Sequence, residues 1–493
     1  MLPRVAWLLA LAPPAFACFA ACGGSDGGST TAADAGDAAL PIDSGADVRP
    51  PPVDAGDGGT DDGGATCPVL PIRGVGSFPF SWLASLTTND IVSAGVDGAG
   101  SVYAIATDLS NLSATVLKDD PTGFLLWGKT LAGVKSDAGS NSHVVARRLI
   151  LRGTGAVVVG TFDGAVDFAG DVRTVPNRGA ALFAMLLTGD GATTWLDVLP
   201  GAVTVTGATV DAAGNVWIAG TLPGFATSPK VDFGGGALAQ YGDDDLFVLA
   251  LDAAGKHVFS ASFGSSGKDT SAGVAARSAG GVVLAGSLAS AGGTLGSGAI
   301  PQAGTFIAGY TAVGAHDWTT LPLAGAPRDL ATDTLGNAFV TGTTAKGSFV
   351  QRVGPLGEPG YTTPLDGIAD FGRIAVGPSS VVAVGGALLK PSGTVTLGPL
   401  TVDVPPVAGA SSGGFPAVVA RLDPTGAPVS ARVFGGGCAL YSADFGLQDS
   451  MVGAVAFGVS GRLVVGASVA GNVDLGLGPS LQPARAATLL VTP

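Results

Sequence analysis

The sequence predicts an all-β protein: a single β-propeller of four-stranded blades, seven by the count of its repeats. Three observations lead there. A strand–turn–strand element, clearest at Val210-Asp211-Ala212-Ala213-Gly214-Asn215-Val216-Trp217-Ile218, returns in degraded form between residues 95 and 466. A second kind of hairpin alternates with it. The composition is rich in turn formers and poor in helix formers: 80 of 493 residues are glycine and 32 proline, and the one glutamate, Glu358, stands among 37 aspartates. Aspartate favours turns where glutamate favours helices.

The first hairpins come in order at Gly95 to Tyr103, Leu149 to Val157, Val210 to Gly220, Val274 to Val282, Leu330 to Phe339, Ile374 to Val381 and Val455 to Leu463. A hairpin closed by a type I turn needs a following residue with positive φ. Glycine adopts that without a Cβ clash, which assigns the turn to Gly100, Gly155, Gly214, Gly280, Gly336 and Gly461. The sixth copy has lost its glycine near Ser379. Second strands such as Val157-Val158-Val159 and Val282-Val283-Leu284-Ala285 are apolar at successive positions, so both of their faces are expected to be buried.

The second hairpins carry an Asp-x-x-Gly turn and often an aromatic residue in the strand that follows. Phe247 to Phe259, around Asp252 and Gly255, is the model. Asp120 to Gly123 and Asp423 to Gly426 repeat it, and Gly189-Asp190-Gly191, Ala312 to Gly314 and Leu356-Gly357 hold the same place. Two hairpins make a four-stranded sheet, and a period of about 60 residues fits the radial plan. The chain ends at Ala487-Thr488-Leu489-Leu490-Val491, a third strand without a fourth. Phe80-Ser81-Trp82-Leu83-Ala84-Ser85-Leu86 is similar to the outer strand Thr193 to Leu199 and is expected to complete that last blade, removing two open edges. The repeat resembles the SBBP-type β-propeller repeat of bacterial surface and secreted proteins over residues 78 to 493, most closely at 207–221, 267–287 and 329–343. The resemblance implies a fold and no shared reaction.

Residues 1–21 read as an export leader, with Arg4 ahead of the apolar run Val5 to Ala12. Phe19-Ala20-Ala21-Cys22, followed by Gly23-Gly24, resembles the lipobox of bacterial lipoproteins, which makes Cys22 the acylated residue; cleavage after Ala15-Phe16-Ala17 would instead release a secreted protein. Residues 22–66 contain almost no apolar mass and are expected to form a disordered tether reaching on the order of 35–40 Å. The propeller then occupies 67–493. Cys67 and Cys438 are the cysteines left for a disulfide in an oxidising compartment. They are expected to meet near the junction of the last two blades, where a bridge would stabilise by up to about 5 kcal/mol.

The formal charge of −14 excludes the basic patch a nucleic-acid partner needs. His143, His257 and His316 lack the spacing of a zinc site and read as loop or strand-end residues. Asp243-Asp244-Asp245 lacks the alternation of a calcium loop and reads as a solvated turn. Asp90, Asp269 and Asp449 precede the turns of their units at loosely recurring distances and read as capping groups. Thr188 to Trp195 is vaguely similar to the Asp-box of sialidase-like propellers, itself a turn device. Glu358 alone supplies no acid–base pair for a glycosidase, and no serine elbow, phosphate loop or cofactor motif occurs. No catalytic residue, metal or cofactor is therefore assigned. The expected function is that of a monomeric outer-membrane or cell-surface lipoprotein that binds a protein or glycan through rim loops 222–245, 287–305 and 387–415. The rival is an envelope polysaccharide lyase or hydrolase with its site in the axial channel, and polar, titratable side chains gathered there would favour it.

Overall fold

The computed structural model describes residues 70–71, 73–75, 81–87, 89–108, 110, 112–135, 141–176, 179–224, 230–366, 369–388, 393–404, 416–434, 451–469, 473–474, 479–480 and 486–491. Internal contacts divide the chain into Met1–Asp62 and Gly63–Pro493. The first unit lies wholly outside the described residues, and the fold is that of the second. The described residues contain no α-helix.

Among the described residues, seven antiparallel four-stranded units follow one another. Sheet 1 runs Asn89–Val96, Val102–Asp108, Ser113–Asp119 and Leu125–Gly133; sheet 2 runs Val144–Arg152, Gly155–Asp163, Ala180–Leu187 and Thr193–Pro200. Sheet 3 comprises Thr204–Val210, Val216–Leu222, Asp245–Leu251 and His257–Phe263, and sheet 4 Thr270–Ala276, Val282–Leu288, Gly304–Tyr310 and His316–Thr320. Sheet 5 is built from Ala326–Thr332, Ala338–Thr344, Gly347–Val353 and Pro359–Asp366, and sheet 6 from Ala369–Val376, Val382–Leu388, Ala417–Leu422 and Pro428–Phe434. Sheet 7 has Met451–Phe457, Leu463–Val469 and Ala486–Val491 in sequence, and Ser81–Thr87 pairs antiparallel with Ala486–Val491 as its fourth strand. That is the pairing the repeat count asks for.

The turns explain the repeat. At Asp211 the Gly214 amide donates to the Asp211 carbonyl at 2.9 Å and the Asp211 amide to Asn215 O at 3.0 Å. Gly214 sits at φ 83°. The Asp211 carboxylate accepts from the amides of Ala213 and Asn215, both at 2.9 Å, from Asn215 Nδ2 at 3.0 Å and from Trp217 Nε1 at 2.8 Å. One side chain thus ties the turn to a buried indole in the next strand. Asp97, Asp120, Asp252, Asp333 and Asp423 repeat the backbone pattern, and so do Thr188, Arg277, Thr311, Gly354 and Gly458 without the carboxylate.

Two copies depart from the expected turn. In the second, Arg152 pairs directly with Gly155, and the positive φ of 60° belongs to Gly153. This is a two-residue turn with glycine at its first central position, so Gly155 is not the turn glycine. It is small for another reason: a β-carbon there would lie 2.1 Å from Leu187 O. In the sixth copy Ser379 and Ser380 take φ values of 57° and 61°. Ser380 Oγ donates to Asp333 Oδ2 at 2.7 Å, holding this left-handed pair against the turn of sheet 5.

Second and third strands are buried on both faces, as in Val216–Leu222 and Asp245–Leu251, because neighbouring sheets cover them. A register of aromatics joins sheet to sheet. Trp127, Trp195, Phe259, Trp318 and Tyr361, each from an outer strand, lie against the turn glycine of the following sheet, at Gly191, Gly255, Gly314, Gly357 and Gly426 respectively; a β-carbon on any of these glycines would come within 3 Å of the ring. Trp127 Nε1 also donates to Gly189 O at 3.0 Å and Trp195 Nε1 to Ala253 O at 3.2 Å. These contacts explain the aromatic that recurs in the second hairpins.

The first strands of sheets 1 to 7 touch in succession, and Met451–Phe457 of sheet 7 touches Asn89–Val96 of sheet 1. Across that last junction Arg462 donates to Gly100 O at 3.1 Å and Pro121 O at 2.9 Å, and Ser468 Oγ to Asp90 Oδ1 at 2.5 Å. Four additions lie outside the repeat among the described residues, two of them the hairpin Gly393–Leu397/Leu400–Val404 and a small sheet of Leu70–Pro71, Val473–Asp474 and Pro479–Ser480. The hairpin Ala165–Phe168/Val172–Thr174, from the middle connection of sheet 2, pairs with the outer strand Leu125–Gly133 of sheet 1, and Arg73–Val75 pairs with Pro428–Phe434 of sheet 6.

Candidate functional site

Two features stand out. The first is a groove between sheets 2 and 3, built from their middle connections. Val175, Pro176, Pro200, Leu222, Pro223, Val231 and Leu238 line an apolar cleft of about 360 Å³. Pro223, Ala180 and Ala202 continue into a second hollow of about 230 Å³ that contains His143 and Asp163. His143 Nδ1 lies 3.1 Å from Asp163 Oδ2, and the His143 amide donates to Asp163 Oδ1 at 2.9 Å. Both side chains are about half exposed. The groove includes part of rim connection 222–245, in agreement with the long loop read from the sequence, whereas the contribution of Val175 and Pro176 was not foreseen.

The second feature lies on the innermost strands. Every first strand carries a bulge at the same register, inserting Val92, Arg147, Thr206, Ala272, Arg328 and Gly453 in six sheets and Phe371-Gly372 in the sixth sheet of the series. A bulge turns the backbone and re-aims the residues beside it. The positions just after it are Ser93, Arg148, Gly207, Gly273, Asp329, Arg373 and Ala454. The side chains of Ser93, Arg148, Asp329 and Arg373 bond to the next strand or reach further. Arg148 Nη2 donates to Thr206 O at 2.6 Å, and Arg373 Nε donates to the equivalent carbonyl, Gly453 O, at 2.7 Å. Asp329 Oδ2 accepts from Ile374 N at 3.3 Å, as Ser93 Oγ accepts from Leu149 N at 2.9 Å.

Arg148 also lies 3.5 Å from Asp329 Oδ1, joining sheet 2 to sheet 5 over 181 residues of sequence. Glycine at positions 207 and 273, between them in the series, leaves no side chain in the way. Burial, with Arg148 and Arg147 adding repulsion that Asp329 partly offsets, brings the Arg373 guanidinium down to about 10. Burial and Arg148 also hold Arg147 below the ordinary arginine range. Arg147 is crowded by the inner strands yet still reaches solvent, and it makes no hydrogen bond or ion pair among the described residues. Arg148 and Arg373 thus gather about the engaged Asp329 carboxylate, with Arg147 near enough to act on both, in a chain whose formal charge is −14.

The residues singled out in the sequence are distributed as follows. Cys22, Cys67, Cys438 and Asp449 lie outside the described residues. His257 and His316 open the outer strands of sheets 3 and 4 and face Ser260 Oγ and Thr319 Oγ1 at 3.0 and 2.6 Å, as strand-end residues. Asp269 is a cap: it accepts from the Ser265 amide, from Ser265 Oγ at 2.7 Å and from the Ala289 amide at 2.7 Å. Asp244 meets Lys268 at 2.8 Å. Asp245 corrects the reading of a solvated turn, since it begins a strand and is 1% exposed. Asp190 and Glu358 bond within their own turns, Glu358 accepting from Leu356 N at 2.9 Å. The arginine cluster was missed. Its only sequence signal is the Arg147-Arg148 pair in an apolar strand.

No family model matches the chain. No curated protein matches it either. Among solved structures it is similar to the RRP9 WD40 repeats, at 11% identity over 85% of this chain and 99% of that one with a TM-score of 0.47. It is similar also to the Dos1 propeller, at 10% identity over 83% and 94% with a TM-score of 0.41, and to the C-terminal WD40 domain of Sif2, at 10% over 84% and 99% with a TM-score of 0.40. Strand pairing, rather than these likenesses, defines the sheets described above.

Proposed function

We propose that this chain is an extracytoplasmic binding module: a closed seven-bladed propeller, exported by its leader, held to a membrane through acylated Cys22 and spaced from it by residues 22–66. Closure is supported by the Ser81–Thr87 pairing, by the contacts of sheet 7 with sheet 1, and by the Arg148–Asp329 bridge. In a ring of seven, sheets 2 and 5 are three places apart, so such a bridge crosses the axis. A Cys67–Cys438 disulfide fits the same ring. Both cysteines lie outside the described residues, and the nearest described support is the pairing of Arg73–Val75 with Ala431–Val433.

The groove between sheets 2 and 3 is the observation that carries binding. Its proline and aliphatic lining suits an apolar segment of a partner protein. The axial arginines do gather charge, but a lyase or hydrolase needs an acid and a base that exchange protons near neutral pH. Guanidiniums hold theirs, and Asp329 is already engaged.

The test is capture from cross-linked envelope extract by the full chain and by Val231→Asp, with a glycan array in parallel. One saturable protein partner lost in the variant is expected; turnover of a polysaccharide, or capture unaffected by the substitution, contradicts this reading. Cys22→Ser should move the protein from the membrane to the soluble fraction. Unchanged fractionation would remove the anchor.

A further inference from the structure

We infer that the axial arginine cluster is a binding site for a small dianionic oxyanion, a phosphate or a dicarboxylate. Arg148 and Arg373 are fixed by carbonyls of adjacent sheets, at 2.6 and 2.7 Å, so their unused N–H groups are held in place before any ligand arrives. Arg373 Nη1 spends one bond on Gly372 O at 3.0 Å, and a β-carbon on Gly372 would meet nothing within 4 Å, which leaves space beside that guanidinium. Arg147 is accessible and unengaged among the described residues, and it adjoins Arg148 in sequence.

The charge balance selects the ligand. Arg147, Arg148 and Arg373, with Arg328 adjoining Asp329 at the equivalent bulge, outnumber the one carboxylate, an excess of positive charge that a dianion would offset. Oxyanions also match the forked donors of arginine, and such charge-assisted bonds are among the stronger polar contacts. Burial, with repulsion from neighbouring arginines, makes the charge on Arg147 and Arg373 costlier than it is in water. A bound anion would reverse that pressure. The surrounding acidic surface would repel anions, so the cluster acts as a local attractive centre that salt weakens.

The inference is independent of membrane anchoring and of the groove. Its test is calorimetric titration of the full chain with inorganic phosphate and, separately, with succinate, at low and at high salt. Saturable binding of either probe, weakened about tenfold or more in Arg147→Gln and reduced by salt, is expected. The probe that binds more tightly identifies the source. Asp329→Asn keeps an acceptor for Ile374 N and removes the competing carboxylate; it should tighten binding severalfold, an effect that a merely structural Asp329 would not produce. Arg147 has no partner among the described residues to lose, so Arg147→Gln should melt like the parent. No saturable binding of either probe, or affinity unchanged in Arg147→Gln, overturns the inference.

Discussion

Asp119 shows what one carboxylate does when it is buried without a full set of partners. It is 1% exposed, and its Oδ2 accepts no hydrogen bond. Burial, with a smaller contribution from Asp120, pushes its carboxyl up to about 6. The folded state therefore holds this proton more tightly than the unfolded chain, where the group titrates near an ordinary aspartate value. Stability from this residue is full below that value and is lost as the pH rises through about 6. Asp119→Asn should raise the melting temperature at pH 7.5 and change it little at pH 4, an effect on the order of 2–3 kcal/mol. Equal gains at both pH values would contradict the assignment. Asp211 works in the opposite sense. Burial opposes its charge, but the bonds from Trp217, Asn215 and the turn amides outweigh it and hold the carboxyl below the usual range. Its contribution is present at neutral pH and disappears as the pH falls through its depressed value. Asp211→Ala should cost about 1–3 kcal/mol at pH 7, read from denaturant unfolding, and markedly less at pH 2. These turns were legible in the sequence because the aspartate, its amide donors and the positive-φ glycine lie within five residues of one another. Asp245 was not, because nothing in the run Asp243-Asp244-Asp245 marks which carboxylate turns inward to begin the strand.

At the scale of the element, the recurrent unit is a pair of hairpins together with the aromatic that each outer strand places on its neighbour. A β-carbon on Gly255 would lie 2.9 Å from the Trp195 ring, and its φ is 83°. Gly255→Ala is thus expected to destabilise through both backbone strain and contact, by about 1–3 kcal/mol. Trp195→Ala should cost about 3 kcal/mol through lost burial and the lost bond to Ala253 O. In the double variant the contact term vanishes while the backbone term stays, so the two costs should sum to more than the combined loss. Strict additivity in a double-mutant cycle would separate the ring from the glycine. The strand order followed from the apolar runs and turn spacing. The bulges did not, since an inserted residue leaves the apolar pattern nearly unchanged and arises from how each first strand meets its neighbours. Glycine at 207 and 273 and arginine at 148 and 373 acquire meaning only once that common register is known.

For the whole molecule, the proposed ring depends on a strand contributed by the N-terminal part of the chain. Removing residues 81–87 would uncover the Ala486–Val491 edge, a row of unpaired amides and carbonyls. Aggregation or loss of a single cooperative transition is expected, followed by light scattering and calorimetry; an unaltered transition would show that the seventh sheet stands without it. The ends of the chain were matched in the sequence by their similarity to internal strands. The meeting of Arg148 with Asp329 could not be, because pairing over 181 residues leaves no local trace.

The hairpin that sheet 2 lends to sheet 1 has a mechanical consequence. Its backbone pairs with Leu125–Gly133, and Phe168 is buried between Phe162 and Phe183 of sheet 2, with ring centroids 5.4 and 5.0 Å away. Main-chain bonds also join sheets 3 and 4, at Gly264–Thr294 and Asp269–Asp244, but here a whole hairpin is added to the neighbour's outer strand. Under load or heating they would part last, acting as a single brace from which the remaining sheets peel.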